Sequence, residues 1–246
     1  MYADEVRNAP PRVPDGTRVY AIGDVHGRAD LLWRLLRLID LDAHEARPVP
    51  AKNVLVYLGD YVDRGPESKG VLDILVAAPP PGFEVVCLLG NHEDLLLNFL
   101  DDPEHGRHWL HNGGKATVAS YGVDATLEPE PMRARLLEAM PKSHLAFLRG
   151  LPLQSAFGDY AFVHAGVRPG IPLKYQSRDD LLWIREEFLD SDQDFGKVVV
   201  HGHTPMRQAI LAPNRISLDT GAFATGHISC VVLAGSERRI MRTEGG

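Results

Sequence analysis

The sequence has few cysteines: Cys87 and Cys230 are the only two among its 246 residues, and both lie in apolar, strand-like runs. A disulfide framework requires more cysteines than this, and so does a zinc site built from thiolates. Both are therefore excluded, and we expect two buried, reduced thiols.

An excess of positive charge is also missing. The chain carries 26 Lys and Arg against 33 Asp and Glu, which gives a formal net charge of −7. Such a chain repels a phosphate backbone, and no basic stripe interleaved with aromatic residues reverses this locally. We therefore expect no nucleic-acid binding.

Long apolar runs are absent too, since no stretch reaches the ~18 residues of a membrane-spanning helix. The first residues, MYADEVRNAPPRVPDG, contain acids and no apolar core, unlike a secretory signal. We expect a cytoplasmic protein without a membrane segment. The prolines of this stretch predict a flexible tail over residues 1–16, followed by a single domain over residues 17–246.

Apolar runs of strand length recur along the rest of the chain, among them RVYAIG, NVLVYLG, FEVVCLLG, YAFVHAG, KVVVHG, RISLD and ISCVVLAG. Amphipathic stretches predict helices over Ala29–Leu41, Lys69–Val76 and His92–Leu100. This alternation predicts parallel strands with crossover helices. The later runs follow one another closely and predict a second, mixed or antiparallel sheet, and residues 124–150 are expected to be helical. The fold class is therefore α/β (α+β).

Polar residues follow five of these runs, each at the point where the strand is expected to end. The segments are Gly23–Gly27 (GDVHG), Gly59–Gly65 (GDYVDRG), Gly90–Glu93 (GNHE), His164–Gly166 (HAG) and His201–Thr204 (HGHT). Because the carboxyl ends of parallel strands face one crevice, residues far apart in the sequence are expected to meet there.

Several carboxylates in one crevice repel one another, by about 4 kcal/mol for a pair ~4 Å apart at an effective dielectric constant near 20. Divalent cations remove this penalty, and Asp, His and Asn side chains suit manganese, iron or zinc. The candidate ligands are more numerous than one ion requires. Two ions sharing a carboxylate explain the surplus, an arrangement typical of displacement at phosphorus. Each motif alone is equally compatible with a cap or turn, but five at strand ends favour a metal site.

These five motifs resemble those of the metal-dependent phosphoprotein phosphatase family, within the calcineurin-like metallophosphoesterases. The segments WLHNGG, LLWIR and LDTGA are similar to its bacterial and phage lambda members, so that the resemblance runs from about Arg18 to about Leu233. It implies two packed, mixed β-sheets flanked by helices. It also implies two divalent ions, for which we expect manganese, with iron, zinc or nickel as alternatives.

The resemblance further implies the metal ligands. These are Asp24, His26 and Asp60 for the first ion, and Asp60, Asn91, His164 and His203 for the second. In HGHT the family's ligand is the histidine before the threonine, so His201 is expected to be a strand-end residue that supports the site. Pro205 stands where many broader relatives have a further metal-binding histidine, and the absence of that histidine is what the phosphoprotein phosphatase branch shows.

Four more residues match the family's catalytic positions. His92 is the expected general acid, Asp63 holds its imidazole, and Arg64 and Arg185 bind the phosphate, while a hydroxide held between the ions attacks phosphorus in line. Alternatives remain open for three of them. Asp63 and Arg64 are also compatible with a surface ion pair, and Arg185 with an ion pair on an amphipathic helix.

Two neighbouring segments have weaker assignments. Glu93 is expected to cap or support the helix that follows it. Asn112, Gly113 and Gly114 are expected to form a loop that either contacts substrate or is a plain turn.

The implied function is hydrolysis of phosphomonoesters by a serine/threonine protein phosphatase, with phosphorylated proteins or peptides as partners. The alternatives are a hydrolase of symmetrical dinucleoside polyphosphates such as diadenosine tetraphosphate, and an RNA 5′-cap pyrophosphohydrolase. A non-enzymatic phosphate-binding scaffold is a further alternative. It predicts missing ligands, whereas every expected ligand is present.

Overall fold

The computed structural model describes residues 9–244, and within this range the chain forms two five-stranded sheets. The strands are β1 (Thr17–Ile22), β2 (Lys52–Tyr57), β3 (Phe83–Cys87), β4 (Gln154–Phe157), β5 (Tyr160–Val163), β6 (Val198–His201), β7 (Ile210–Leu211), β8 (Arg215–Ser217), β9 (Ser229–Ala234) and β10 (Glu237–Arg242).

The first sheet has the strand order β10-β9-β1-β2-β3. Its pairs β1–β2 and β2–β3 are parallel, and β9 and β10 add antiparallel strands at one edge. The second sheet has the order β4-β5-β6-β8-β7. It has a parallel centre, β5–β6–β8, and antiparallel edges. Both predicted sheets are confirmed. The sequence did not predict β4, β7 or β10, which are short or rich in charge.

Ten helices occur within the described residues: α1 (Ala29–Glu45), α2 (Ser68–Val76), α3 (Asn91–Asp101), α4 (Gly106–Trp109), α5 (Lys115–Ser120), α6 (Pro129–Ala139), α7 (Lys142–Arg149), α8 (Arg178–Trp183), α9 (Glu186–Leu189) and α10 (Ala222–Thr225). The three predicted amphipathic helices correspond to α1, α2 and α3, and the expected helical region 124–150 contains α6 and α7. No helix within residues 9–244 is both long enough and apolar enough to cross a bilayer.

The alternation of side chains along the strands explains the layers. Val19 and Ala21 of β1 pack in one cluster with Tyr160 and Phe162 of β5, so the two sheets lie face to face. Tyr20 and the other β1 residues on the opposite face pack against α1. Since successive side chains of a strand point to opposite faces, each sheet is covered on both sides. The outer face of the second sheet is covered by α8 and α9.

The predicted tail differs from the structure over its last residues. Residues 1–8 lie outside the described residues. Val13 is fully buried, and its N–H donates to the Gly235 carbonyl at 3.1 Å. Asp159 donates its N–H to the Arg12 carbonyl at 2.9 Å. This stretch is therefore held between the edges of both sheets, and the expectation of a flexible tail up to residue 16 is wrong for it.

Candidate metal centre

The candidate residues meet at the carboxyl ends of the parallel strands. Asp24, Asp60 and Asn91 follow β1, β2 and β3, whereas His164 and His203 follow β5 and β6. Two overlapping groups of buried side chains result, each close enough to hold one metal ion. The first contains His26, Asp60 and His92, and the second contains Asp60, His164 and His203.

Asp60 is the residue common to both groups. Its carboxylate oxygens lie 3.3 Å from His164 Nε2, 3.5 Å from His26 Nε2 and 3.9 Å from His92 Nε2. Burial alone would raise the pKa of Asp60, but the surrounding imidazoles lower it below its ordinary value. Asp60 is thus an anion at the centre of the cluster, where the sequence places the bridging ligand.

Hydrogen bonds fix the orientation of two of the histidines. His26 Nδ1 donates to the Val62 carbonyl at 2.9 Å, and His164 Nδ1 donates to the Leu58 carbonyl at 2.8 Å. Burial lowers the pKa of both rings, that of His26 to about 3. Both imidazoles are therefore neutral with the proton on Nδ1, which leaves an unprotonated Nε2, the state in which histidine binds metals. His26 Nε2 accepts from Arg64 Nη1 at 2.9 Å, and His164 Nε2 lies 2.8 Å from Asn91 Oδ1.

The Nε2 atom of His203 is buried and available to bind a ligand. Its Nδ1 lies 2.9 Å from Asn91 Oδ1, while its Nε2 has no hydrogen-bond partner among the described residues. Burial, together with His164, lowers the pKa of His203 to about 2. A buried, unpaired nitrogen costs free energy unless something binds it. The nitrogen and oxygen donors gathered here therefore fit divalent cations.

Asp24 lies beside this cluster and belongs to neither group. Its two carboxylate oxygens accept the backbone N–H of His203 at 3.0 and 3.2 Å. Gly202 is required here, because a Cβ at this position would clash with the Asp24 carboxylate. Burial and the negative charges of Asp219 and Asp60 raise the pKa of Asp24 well above its ordinary value.

Asp219 is a site residue that the sequence reasoning missed. It is buried, and its Oδ1 accepts the Gly221 N–H at 2.8 Å while its Oδ2 has no partner among residues 9–244. A signal was available, because Asp219 follows β8 closely, as the other carboxylates follow their strands. It adds a third buried carboxylate next to Asp24 and Asp60, which increases the need for cations.

His92 and Asp63 form a hydrogen-bonded pair. His92 Nδ1 lies 2.7 Å from Asp63 Oδ2, which also accepts the indole N–H of Trp109 at 2.8 Å. The hydroxyl of Thr117 donates to the other oxygen at 2.5 Å. Burial alone would lower the pKa of His92, but Asp60 and the hydrogen-bonded Asp63 raise it above its ordinary value. Asp63 is fully buried, so the alternative of a surface ion pair is wrong.

The backbone is strained at the site. Five non-glycine residues have positive φ angles between 44° and 72°, and all five are sequence-predicted site residues: His26, Asp60, Asp63, Arg64 and His203. Such conformations cost of the order of 1–3 kcal/mol each and persist where the surroundings impose them. These backbone conformations therefore lower the stability of the fold while they orient the five side chains toward the site.

Arg64 lies at the edge of the cluster. Its Nη1 donates to His26 Nε2 at 2.9 Å, and its guanidinium lies 5.1 Å from the ring centre of Phe223. The Arg64 N–H donates to the Gly113 carbonyl at 3.3 Å. Gly113 has φ 109° and ψ 0°, so it forms a non-helical turn between α4 and α5. This turn supports Arg64.

Arg185 lies between two short helices, where the sequence also allowed one continuous helix. α8 ends at Trp183 and α9 begins at Glu186, while Arg185 has φ −133° and ψ −99°. Its Nη1 donates to Thr204 Oγ1 at 3.1 Å, and it forms no ion pair within residues 9–244. The helical ion-pair alternative is therefore wrong, and the guanidinium lies next to the His203 segment.

His201 is buried but is not part of either group. Its Nδ1 donates to the Gly202 carbonyl at 3.1 Å, and its Nε2 accepts from Ser217 Oγ at 2.8 Å. Burial lowers its pKa to about 4. Both ring nitrogens are thus occupied, as expected for a supporting residue.

The sequence of this chain is similar to those of known phosphoesterases. A family model for the calcineurin-like phosphoesterases matches residues 17–228. Serine/threonine-protein phosphatase 2 of Salmonella typhimurium is 28% identical over 222 residues, which cover 86% of this chain and 90% of the relative. The symmetrical bis(5′-nucleosyl)-tetraphosphatase of Methylococcus capsulatus is 35% identical over 152 residues, covering 61% of this chain and 44% of the relative.

The fold also matches solved structures. A crystal structure of a protein provisionally named a diadenosine tetraphosphatase superposes with a TM-score of 0.64 and 22% identity, covering 97% of this chain and all of the other. At this level of identity the likeness concerns the fold alone, and it agrees with the two packed sheets described above.

Proposed function

This chain belongs to the calcineurin-like phosphoesterase family, and we propose that it is a metal-dependent phosphatase that hydrolyses phosphoserine and phosphothreonine in proteins. The observation that carries the proposal is the paired site, in which two groups of side chains share Asp60, and His92 of the first group is hydrogen-bonded to Asp63. The preference for a protein substrate is supported by the Salmonella phosphatase, which aligns over nearly the full length of both chains.

The ligand assignment for two ions follows the sequence pattern and remains a proposal. Asp24, His26 and Asp60 would hold one ion, and Asp60, Asn91, His164 and His203 the other, with manganese as the expected metal. Two divalent ions supply Lewis-acid activation of an attacking water and neutralise charge on the phosphate.

Arg64 and Arg185 are positioned to bind the phosphate group. Each carries a planar set of N–H donors that matches phosphate oxygens in pairs, which a lysine ammonium cannot reproduce. Arg64 lies against Phe223 and Arg185 against Thr204, so both guanidinium groups are oriented before substrate binds. In-line attack builds charge on the phosphate oxygens, and these donors stabilise it.

His92 donates the proton that the leaving alkoxide needs. Asp63 accepts the Nδ1–H, which keeps Nε2 directed at the cluster, 3.9 Å from Asp60 Oδ2. Asp60 and the hydrogen-bonded Asp63 raise the pKa of His92, which favours the protonated imidazole with a proton on Nε2. Proton transfer by a positioned side chain typically contributes about 10²- to 10⁴-fold to the rate.

A second candidate function uses the same chemistry on an anhydride. The Methylococcus tetraphosphatase is more identical to this chain than the Salmonella phosphatase, at 35% against 28%. Its match covers 61% of this chain and 44% of that relative. Hydrolysis of symmetrical dinucleoside polyphosphates therefore remains the alternative.

A direct comparison of two substrates tests the proposal. We would measure kcat/KM for a phosphothreonine peptide and for diadenosine tetraphosphate with manganese-loaded protein, using chelator-treated protein as the control. We expect at least a tenfold preference for the peptide, about 1.4 kcal/mol in transition-state binding. A preference for the dinucleotide would replace the protein-phosphatase proposal with the alternative.

A further inference from the structure

A second cleft lies next to the metal centre and contains none of its ligands. It has a volume of about 480 Å³, and the residues around it include Arg207, Gln208, Thr220, Thr225, His227 and Arg242. Thr220 directly follows Asp219, and Arg207 lies four residues after His203. The cleft therefore lies close along the chain to two residues of the candidate site and includes neither of them.

The cleft is lined by cations without matching anions. Arg207 and Arg242 are both exposed, and neither guanidinium group forms a hydrogen bond or an ion pair with another residue in the described part of the chain. No Asp or Glu is among the lining residues. In a chain with a net charge of −7, two arginines left without partners in one cleft are an uncompensated positive site. Such a site attracts anions.

Internal hydrogen bonds fix the floor of the cleft. Thr220 Oγ1 bonds to the His227 carbonyl at 3.2 Å and lies 3.1 Å from Ser229 Oγ. Thr225 Oγ1 donates to the Thr220 carbonyl at 2.9 Å. The hydroxyl groups of Thr220 and Thr225 therefore donate to other groups of the protein. The floor shapes the cleft but offers no hydrogen-bond donor to a ligand.

Three groups remain that can donate to a ligand. They are the two guanidinium groups, each of which offers paired N–H donors, and the two N–H bonds of the Gln208 side-chain amide. The ring of His227 is not among them, because its Nδ1–H donates to the Thr243 carbonyl at 2.9 Å. Guanidinium groups match the paired oxygens of a phosphate better than those of a halide or a single carbonyl. The volume also admits an attached organic group, because small-molecule sites usually measure about 300–1,000 Å³.

We propose that this cleft is a second phosphate-binding site, separate from the metal centre, that takes inorganic phosphate or the phosphate group of a small phosphorylated molecule through Arg207 and Arg242. The two sources share one chemistry and differ in whether an organic group contributes to binding. The proposal does not depend on which phosphoester the metal centre hydrolyses.

Calorimetric titration of the full, manganese-loaded chain tests the proposal without turnover. The probes are inorganic phosphate and phenylphosphonate, whose carbon–phosphorus bond a phosphatase does not hydrolyse. We expect two sites per chain in the wild type and one in the double variant Arg207→Gln/Arg242→Gln, with at least a tenfold loss of affinity at the cleft. Tighter binding of phenylphosphonate than of phosphate at the cleft would identify a phosphorylated small molecule as the ligand, and equal or weaker binding would identify the ion itself.

Two further variants separate the cleft from other effects. Arg34→Gln/Arg37→Gln removes the same charge from exposed positions of α1 and should retain both sites. Arg64→Gln/Arg185→Gln weakens the metal centre and should retain the cleft site. A single site in the wild type, two sites in the Arg207/Arg242 variant, or an equal loss in the α1 variant would overturn the proposal.

Discussion

Glu93 accepts the backbone N–H of Asp60 at 2.8 Å through one carboxylate oxygen, and this contact joins the ends of two neighbouring strands. The same oxygen accepts the Gly90 N–H at 3.0 Å, and the other accepts those of Tyr61 at 2.7 Å and Val62 at 3.2 Å. Gly90 must be a glycine, because a Cβ there would clash with Asp60. One buried carboxyl group thus holds the loop that carries Asp60, the proposed bridging ligand.

Replacing Glu93 should destabilise the protein. We expect Glu93→Ala to lower the free energy of unfolding by about 3 kcal/mol, since four buried N–H groups lose their acceptor. Urea denaturation measures this, with Glu104→Ala, an exposed acid, as the matched control. Equal stability of the two variants would show that Glu93 does not support the loop. Glu93→Gln, which keeps one acceptor oxygen, should fall between them.

His92→Asn should lower kcat by about 10²- to 10⁴-fold while metal content persists. The acid must be protonated to act, so wild-type kcat should decline as pH rises through the raised pKa of His92, and the variant should lack this decline. Asp63→Asn should reduce kcat in the same direction, because the imidazole loses the carboxylate that keeps it protonated. Loss of the bound metals from His92→Asn would refute the acid assignment.

Asp219→Asn should affect stability and metal binding in opposite directions. The amide oxygen can still accept the Gly221 N–H, but the repulsion between Asp219 and Asp24 disappears. Metal-free protein should therefore become more stable, while manganese affinity should fall about 10- to 100-fold. Thermal unfolding with chelator and a metal titration measure the two effects, and Asp192→Asn, at an exposed position, is the control. A variant that loses stability without a change in metal affinity would contradict this role.

The low pKa of His201 predicts an acid-sensitive fold. The pKa of His201 is near 6.5 in the unfolded chain and about 4 in the folded protein, so the unfolded chain binds a proton at a higher pH than the folded protein does. Stability should therefore fall as pH decreases through this window, by at most about 3 kcal/mol from this residue. Urea denaturation of metal-free protein between pH 7 and 4.5 should show a shallower decline for His201→Gln than for the wild type. Identical pH dependences would exclude the contribution of His201.

The sequence predicted the parts of the fold that follow from local patterns. The alternation of strands and amphipathic helices identified α1, α2 and α3 and the parallel centre of the first sheet, because periodicity reports which face of an element is buried. It missed β10, Glu237–Arg242, because four of its six residues are charged and its pairing with β9 is set by position at the sheet edge.

The sequence predicted which types of ligand residue lie at the strand ends. It did not predict the backbone conformations and hydrogen bonds that hold these residues in place. Asp60, Asp63 and Arg64 adopt positive φ angles, which are uncommon for residues other than glycine and which the sequence pattern did not predict. The contacts of Trp109 and Thr117 with Asp63 span 46 and 54 residues. Such contacts depend on how distant helices pack over the sheet, which a single sequence does not reveal.

The central claim is that Asp60 joins two metal positions in one catalytic centre. We would load wild type and Asp60→Asn with manganese, remove the excess by gel filtration, and measure bound metal per chain together with phosphothreonine-peptide hydrolysis. We expect the wild type to bind two ions per chain. We expect Asp60→Asn to lose both the two-ion occupancy and the hydrolytic activity. Two ions bound to Asp60→Asn as in the wild type would contradict it.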